Sequence, residues 1–313
     1  MKSYLVIPCY NEEEVLPYTA KLLEAKISNL IDSGKISKDS KICFVNDGST
    51  DNTWKIITEL HNSNNIFQGI NLSRNRGHQN ALLAGLMTVK DYADAMISLD
   101  ADLQDDINAI DEMIEKFLNG YDIVYGVRSK RETDTWFKRT TAEEFYKFME
   151  YMGANVVYNH SDYRLMSKRA VEGLAQFKEV NLFLRGMVPL IGFKSDIVYY
   201  ERKERFAGES KYPLKKMLAF AFEGITSLTI EPIRFVTKLG VLVFGVSIAL
   251  VIWSLYRYFT GETVTGWTSM MISLWAIGGL ILFSIGIVGE YIGKIYLETK
   301  ARPRFIVEDY LKD

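Results

Sequence analysis

The chain has 313 residues, enough for one α/β domain of ordinary size and an appendage. A formal charge of −2 gives no global attraction for nucleic acid, so any basic function must be local. Two cysteines and three histidines without ligand spacing argue against a disulfide framework and a zinc site; Cys9 and Cys43 read as small core residues of strands.

Residues 3–7 form a short apolar run, followed at once by Glu12, Glu13 and Glu14. A secretory signal needs a longer apolar core, so the first domain is expected in the cytoplasm. Strands are predicted at 4–7, 42–45, 66–72, 95–99 and 123–127, with helices between them at 13–32, 53–61, 79–89 and 107–118. This alternation predicts an α/β fold, a mostly parallel sheet with helices on both faces, which binds ligands beyond the carboxyl ends of its strands. Polar clusters fall at those ends: 8–12, 46–51, 74–78, 100–106 and 128–131. Five such loops at one edge of one sheet exceed what solvation requires.

Residues 133–201 are less regular, with helical stretches at 142–152 and 168–177, a strand at 194–200, and a basic, glycine-containing loop at 202–211. The last third carries two uncharged runs, 239–256 and 267–289. About 20 apolar residues span a bilayer, so these read as transmembrane helices; two buried helices of a soluble core are the alternative. Lys238 and Arg257 flank the first run, and Tyr256, Tyr258 and Trp267 suit the interfacial belt. Gly278, Gly279, Gly286 and Gly289 allow close helix contact, which leaves a homo-oligomer open. Arg234 and Lys238 precede the spans, Lys294, Lys300, Arg302 and Arg304 follow them, and the loop 260–266 holds only Glu262. The positive-inside rule then places both termini in the cytoplasm, as in a multi-pass protein of the plasma (inner) membrane. Residues 212–234 mix Lys215 and Lys216 with Leu214, Met217, Leu218, Phe220 and Phe222. They read either as an amphipathic helix lying on the membrane or as a helix docked on the first domain.

The sharpest chemical feature is Asp100-Ala101-Asp102-Leu103-Gln104 at the end of the fourth strand. Two carboxylates so placed can hold Mg2+ or Mn2+, with phosphate oxygens filling the remaining positions and Gln104 adding an oxygen. Asp105 or Asp106 reads as the cap of the following helix. In Asn46-Asp47-Gly48-Ser49-Thr50-Asp51, Gly48 permits a tight turn, Asp47 can accept from a base or ribose, and Asp51 reads as a helix cap. In Pro8-Cys9-Tyr10-Asn11-Glu12, Tyr10 can pack on a flat base. Glu12 either bonds ribose hydroxyls or, with Glu13 and Glu14, supplies charge to a helix N-terminus. No G-x-G-x-x-G follows the first strand, which excludes a dinucleotide oxidoreductase of that type.

Together with Ser73-Arg74-Asn75, Gly77-His78 and Arg205-Phe206-Ala207-Gly208-Glu209-Ser210-Lys211-Tyr212, these stretches resemble the family 2 glycosyltransferases. The resemblance is closest to the polyprenyl-phosphate branch, the bactoprenol glucosyltransferases and dolichol-phosphate mannosyltransferases, and covers essentially the whole chain. It implies a GT-A type nucleotide-sugar-binding domain over 1–211, a juxtamembrane segment over 212–234, two spans over 235–293 and a cytoplasmic tail over 294–313. By the same resemblance Pro8, Tyr10, Asn11, Glu12, Asp47, Asn75 and Ser210 bind the nucleotide sugar, and Asp100, Asp102 and Gln104 serve the metal and donor diphosphate. Arg128 and Arg131 face the acceptor phosphate or the diphosphate, while Arg205, Ser210 and Lys211 lie on a loop closing over the donor. Asp162, in Ser161-Asp162-Tyr163-Arg164-Leu165, lies near the acceptor or pairs with Arg164. Arg76 departs from the relatives' aromatic or small residue, touching phosphate or only solvent. The Gln-x-x-Arg-Trp motif of processive synthases is absent.

The implied reaction is inverting transfer of a sugar, a UDP-linked hexose or N-acetylhexosamine, to polyprenyl (undecaprenyl) phosphate for cell-envelope glycosylation. Transfer to a lipid or glycan hydroxyl is one alternative. A catalytically silent membrane scaffold is the other, against which the intact Asp100, Asp102 and 205–211 loop speak.

Overall fold

The computed structural model describes residues 1–129, 160–201, 231–260 and 266–312. Among them, strands β1 (Ser3–Cys9), β2 (Lys41–Asn46), β3 (Phe67–Leu72), β4 (Ala95–Ser98), β5 (Ile123–Arg128), β6 (His160–Ser167), β7 (Ser195–Tyr200) and β8 (Val307–Leu311) form one sheet, in the order β7-β5-β6-β4-β1-β2-β3-β8. The helices are α1 (Leu16–Asp32), α2 (Thr53–Ser63), α3 (His78–Val89), α4 (Ala109–Leu118), α5 (Lys168–Ala175), α6 (Leu184–Leu190), α7 (Glu231–Phe259) and α8 (Trp267–Lys300). The helix predicted at 142–152, the loop 202–211, residues 212–230 of the juxtamembrane segment and most of the loop 260–266 lie outside the described residues.

Every residue of β1 is buried because both faces of the sheet are covered. Successive side chains serve opposite layers. Leu5 and Ile7 pack with Leu16, Leu23 and Ile27 of α1 and with Ile110 and Met113 of α4. Tyr4 and Val6 pack with Leu82, Leu83 and Leu86 of α3, Val171 and Leu174 of α5, and Met187 of α6. Strands β1 to β4 are mutually parallel and β5 is parallel to β7. The expected mostly parallel sheet is therefore present.

Two strands depart from the sequence reading. Strand β6 runs antiparallel between β4 and β5. Its register sets Ser98 opposite Arg164, and continuing it by two residues brings Asp162 opposite Asp100. Strand β8 comes from the segment read as the cytoplasmic tail, in which no strand is expected: it pairs antiparallel with β3, and the Tyr310 hydroxyl donates to Gln68 Oε1 at 2.9 Å. Val307 and Tyr310 pack against one apolar layer and Leu311 against the other, so this segment covers an otherwise open sheet edge. Helix α8 also continues to Lys300, past the expected boundary at 293.

Helices α7 and α8 have 29 and 34 residues. Their stretches Pro232–Leu250 and Ala276–Lys300 have mean hydropathy 1.9 and 1.7 and are 0% and 6% buried. Leu242, Trp253, Leu282 and Phe283 face outward. This apolar exposure opposes the soluble-core alternative and suggests membrane association. A methyl group added at Gly278, Gly279, Gly286 or Gly289 would meet nothing within 4 Å. Among the described residues, those glycines therefore make no close contact within this hairpin.

Candidate active site

The carboxyl ends of β1, β2 and β3 are tied to one another by polar side chains. Asn11, at φ 54°, donates its N–H to Ser49 Oγ at 3.0 Å, and its Oδ1 accepts the Thr50 N–H at 2.9 Å. Its exposed side chain thus links two loops at the rim. The Glu12 N–H donates to Thr53 Oγ1 at 2.9 Å, and its carbonyl accepts the N–H groups of Val15 and Leu16 at the entrance to α1. Asp51 accepts from the N–H groups of Thr53 and Glu13, the structural role expected of it. Pro8 is buried within β1, whereas Tyr10 is 47% exposed at the rim.

Asp47 is buried, and its two oxygens accept the N–H groups of Arg76 at 2.7 Å and Gly77 at 2.8 Å. Burial pushes its carboxyl up; these two bonds, with His78 and Arg76, oppose that. Those two contacts make it a latch on the β3–α3 loop, a role that its position at a strand end did not disclose. Asn75, exposed, accepts the Gly77 N–H at 3.1 Å in the same loop. Arg76 has its Nε buried without a hydrogen-bond partner among the described residues, so the side chain is not simply solvated. Gly48 sits under this loop at φ +61°, where a Cβ would lie 2.5 Å from Asn75 N and from Arg74 C. Gly48→Ala is expected to strain its own backbone by about 1–3 kcal/mol and to push the 74–77 loop outward. Thermal unfolding checks this: the midpoint should fall.

The second half of the site is a carboxylate cluster where β4 and β6 meet α3. His78 opens α3, with Nε2 3.4 Å from Asp100 Oδ1 and 3.8 Å from Asp162 Oδ2. Asp162 is buried and paired with Arg164, and Arg185 of α6 donates to its Oδ2 through Nε at 3.3 Å and Nη2 at 3.1 Å. Burial alone would raise its carboxyl, but the Arg185 and Arg164 guanidiniums, with His78, hold it well below the usual carboxylate range. Asp100 is the reverse case. Burial and then the nearby Asp105, Asp162 and Asp102 push it up to about 6, against the pull of His78. The cluster thus has one neutralised carboxylate and one short of positive charge.

Asp102 is partly exposed, and its Oδ1 accepts the Gln104 N–H at 3.2 Å. Between them Leu103 takes φ 48°, a strained value for a leucine and one of three such non-glycine positions among the described residues. Gln104 is 7% exposed and sits deeper than Asp100 and Asp102, which are half-buried. Among the described residues no group of three or more His, Cys, Asp or Glu side chains stands at metal-ligand spacing. The uncompensated charge at Asp100 fits a divalent cation held by two aspartates, provided that oxygens from a ligand complete its shell.

Arg128, the last residue of β5, donates from Nε to the Tyr200 hydroxyl at 3.2 Å and from Nη2 to Asp105 Oδ1 at 3.4 Å. The Tyr200 hydroxyl also donates to Asp105. Asp105 therefore anchors Arg128 beside the Asp100–Gln104 loop instead of capping α4, whose N-cap is Asn108. Arg131, Arg205, Ser210 and Lys211 lie outside the described residues. The site residue that sequence reasoning missed is Arg185; its only local signal is a charge inside the otherwise apolar LRGMVPL helix. His78 lay in a motif but had no assigned role.

Residues 4–174 match the family model described as Glycosyl transferase family 2, and residues 231–295 match one described as GtrB C-terminal hairpin. A Bacillus subtilis (strain 168) protein described as uncharacterized glycosyltransferase YkoT is 52% identical over 304 residues, covering 97% of this chain and 90% of its own. The bactoprenol glucosyl transferase of Shigella phage SfX is 40% identical over 310 residues, with 98% and 99% covered. The prophage bactoprenol glucosyl transferase homolog of Escherichia coli (strain K12) is 40% identical over 312 residues, with the same coverage. With a GT-A type sheet, a matched hairpin and relatives aligned almost end to end, the chain belongs to glycosyl transferase family 2.

Proposed function

We propose that this transferase moves a sugar from a nucleotide diphosphate donor, a UDP-linked hexose or N-acetylhexosamine, to polyprenyl (undecaprenyl) phosphate, with inversion at the anomeric carbon. Relatives described as bactoprenol glucosyl transferases support the acceptor class. The observation that carries the choice is the pairing of Asp162 with both Arg164 and Arg185. A hydroxyl acceptor needs a general base, and a carboxylate neutralised by two guanidiniums is a poor one. A phosphate monoester, with a second pKa of about 6, is already ionised at neutral pH and needs only cations to hold it.

In this reading Tyr10, Pro8 and Glu12 receive the nucleoside, while Asn11, Asp47 and Asn75 hold the loops that frame it. Asp100 and Asp102 hold Mg2+ or Mn2+, and the Gln104 N–H steadies Asp102. Such a cation supplies Lewis-acid charge at the departing diphosphate. Arg128, fixed by Asp105 and Tyr200, and Arg131 orient the acceptor phosphate, for which bidentate guanidinium contacts suit both charge and geometry. Arg205, Ser210 and Lys211 add donors over the leaving group. Asp162 orients His78 and Arg185 and removes no proton.

The acceptor keeps its tail in the bilayer, since extraction costs about 0.8 kcal/mol per methylene, so the protein must bring its site to the membrane. Pairing of β8 with β3 supports an even number of crossings, because the chain after α8 returns to the same sheet as the N-terminal strands. The basic flanks favour the cytoplasmic face of the plasma (inner) membrane for that sheet.

The decisive experiment incubates purified enzyme with undecaprenyl phosphate and a panel of labelled UDP- and GDP-sugars. A polyprenyl monophosphate sugar is the expected product. Transfer only to hydroxyl acceptors, or no consumption of any donor, overturns the reading. Chelation with EDTA is expected to abolish turnover, and added Mg2+ or Mn2+ to restore it.

A further inference from the structure

The membrane hairpin is joined to the active site by more than the chain that leads into it. Helix α8 has 34 residues, about 51 Å at the α-helical rise, against a hydrocarbon core of about 30 Å. If its uncharged part, 267–289, fills the core, its last turns emerge beside the catalytic domain.

There Glu298 grips the segment between α5 and α6. Its Oε2 accepts the Val180 N–H at 2.8 Å, and its Oε1 accepts the Asn181 N–H and Nδ2, each at 2.8 Å. Arg304, just beyond α8, donates from Nη1 to the carbonyl oxygens of Phe177 at 3.2 Å and Glu179 at 3.5 Å. A solvent-open groove runs between this segment and α8, lined in part by Phe177, Lys178, Tyr291 and Lys294. Phe177 and Leu182 pack against the apolar layer beneath, so these hydrogen bonds act on a segment that side-chain packing also holds.

Three residues after Asn181 the chain enters α6. The Leu184 N–H donates to Gln79 Oε1 of α3 at 2.7 Å, and Arg185 reaches Asp162. Helix α6 has only seven residues and no side-chain cap, so its position depends on its surroundings: the core around buried Leu184, Met187 and Val188, and the 180–184 stretch that leads into it.

We infer that Glu298 is a positioning residue for the reaction proposed above, holding Arg185 against Asp162 through residues 180–184. The membrane helix thereby sets the charge balance of the catalytic cluster from outside it. The inference rests on the sugar-transfer reading for its kinetic consequence, but not for its structural one.

The test uses the full chain in lipid nanodiscs. Glu298→Ala is expected to lower kcat about tenfold and to leave the KM for nucleotide sugar within about twofold, because Tyr10 and the loops around it are not part of this line. Glu298→Gln, which keeps an acceptor oxygen, should fall between wild type and alanine. Arg185→Ala should show the same split, and the double variant should be no worse than the poorer single one. Losses that multiply, or a Glu298→Ala effect confined to the nucleotide-sugar KM, overturn the inference. Amide hydrogen exchange reads the coupling without turnover. Glu298→Ala should speed exchange across 180–187 while β1–β4 stay protected; faster exchange at Val180 and Asn181 alone, with α6 unchanged, overturns it. A wild-type chain that transfers no sugar to any acceptor defeats the functional reading, and the exchange result still decides the coupling.

Discussion

Asp102→Asn is expected to lower sugar transfer by about 10³-fold, a barrier increase of about 4 kcal/mol, while leaving the thermal unfolding midpoint almost unmoved. The two effects separate because of where Asp102 stands. It is partly exposed and its Oδ1 accepts a local N–H from Gln104, which an asparagine oxygen can also do. What asparagine lacks is the negative charge that a divalent cation requires. Asp100→Asn should be equally damaging to turnover and differ in stability. In the metal-stripped protein the Asp100 carboxyl is pushed up to about 6 by burial and then by Asp105, Asp162 and Asp102. Its unfolded value is about 3.9, so between these values the folded chain binds more protons than the unfolded one and stability falls as pH rises. The penalty is absent below the unfolded value and complete above the folded one. Unfolding midpoints of the stripped protein between pH 4 and 7 should show that slope, and Asp100→Asn should flatten it. A wild-type slope unchanged by the substitution would assign the effect to another group.

Asp162→Asn is expected to cost stability first. The substitution removes the negative charge that offsets buried Arg164, 2% exposed, and that pairs with Arg185. Breaking a buried pair in this way costs about 3–5 kcal/mol, which chemical denaturation measures directly. Turnover must then be compared at a temperature where the variant is still folded. Under that condition a phosphate acceptor predicts a residual rate within about tenfold of wild type, or about 1.4 kcal/mol. A loss of many thousandfold in folded protein would show that Asp162 accepts a proton and that the acceptor is a hydroxyl.

Strands β1 to β4 were readable because each is an apolar run with a polar loop at its carboxyl end, and burial on both faces removes any need for alternation. Strand β6 was not, because Asp162 and Arg164 interrupt it with charges that are tolerable only once paired inside the fold. Strand β8 was hidden by its position after a long apolar helix, where a short amphipathic stretch reads as a tail. At the site, sequence located the right loops but could not divide their labour. An acceptor that faces a ligand and one that latches a neighbouring loop look alike in a string of residues. Asn11 and Asp47 proved to carry such latches, and that is a matter of loop-to-loop distance. Arg185 left almost no local trace, since its partner lies on a different element and only the three-dimensional path joins them.

The return of β8 to the sheet also orders events during synthesis. Ribosomes make this strand after both hydrophobic helices. Until then the outer edge of β3 has no neighbour, and a bare edge invites pairing with other chains. Closure of the sheet thus waits on synthesis of both long apolar helices, and a chain interrupted before that point keeps an adhesive flank that chaperones and proteases can recognise.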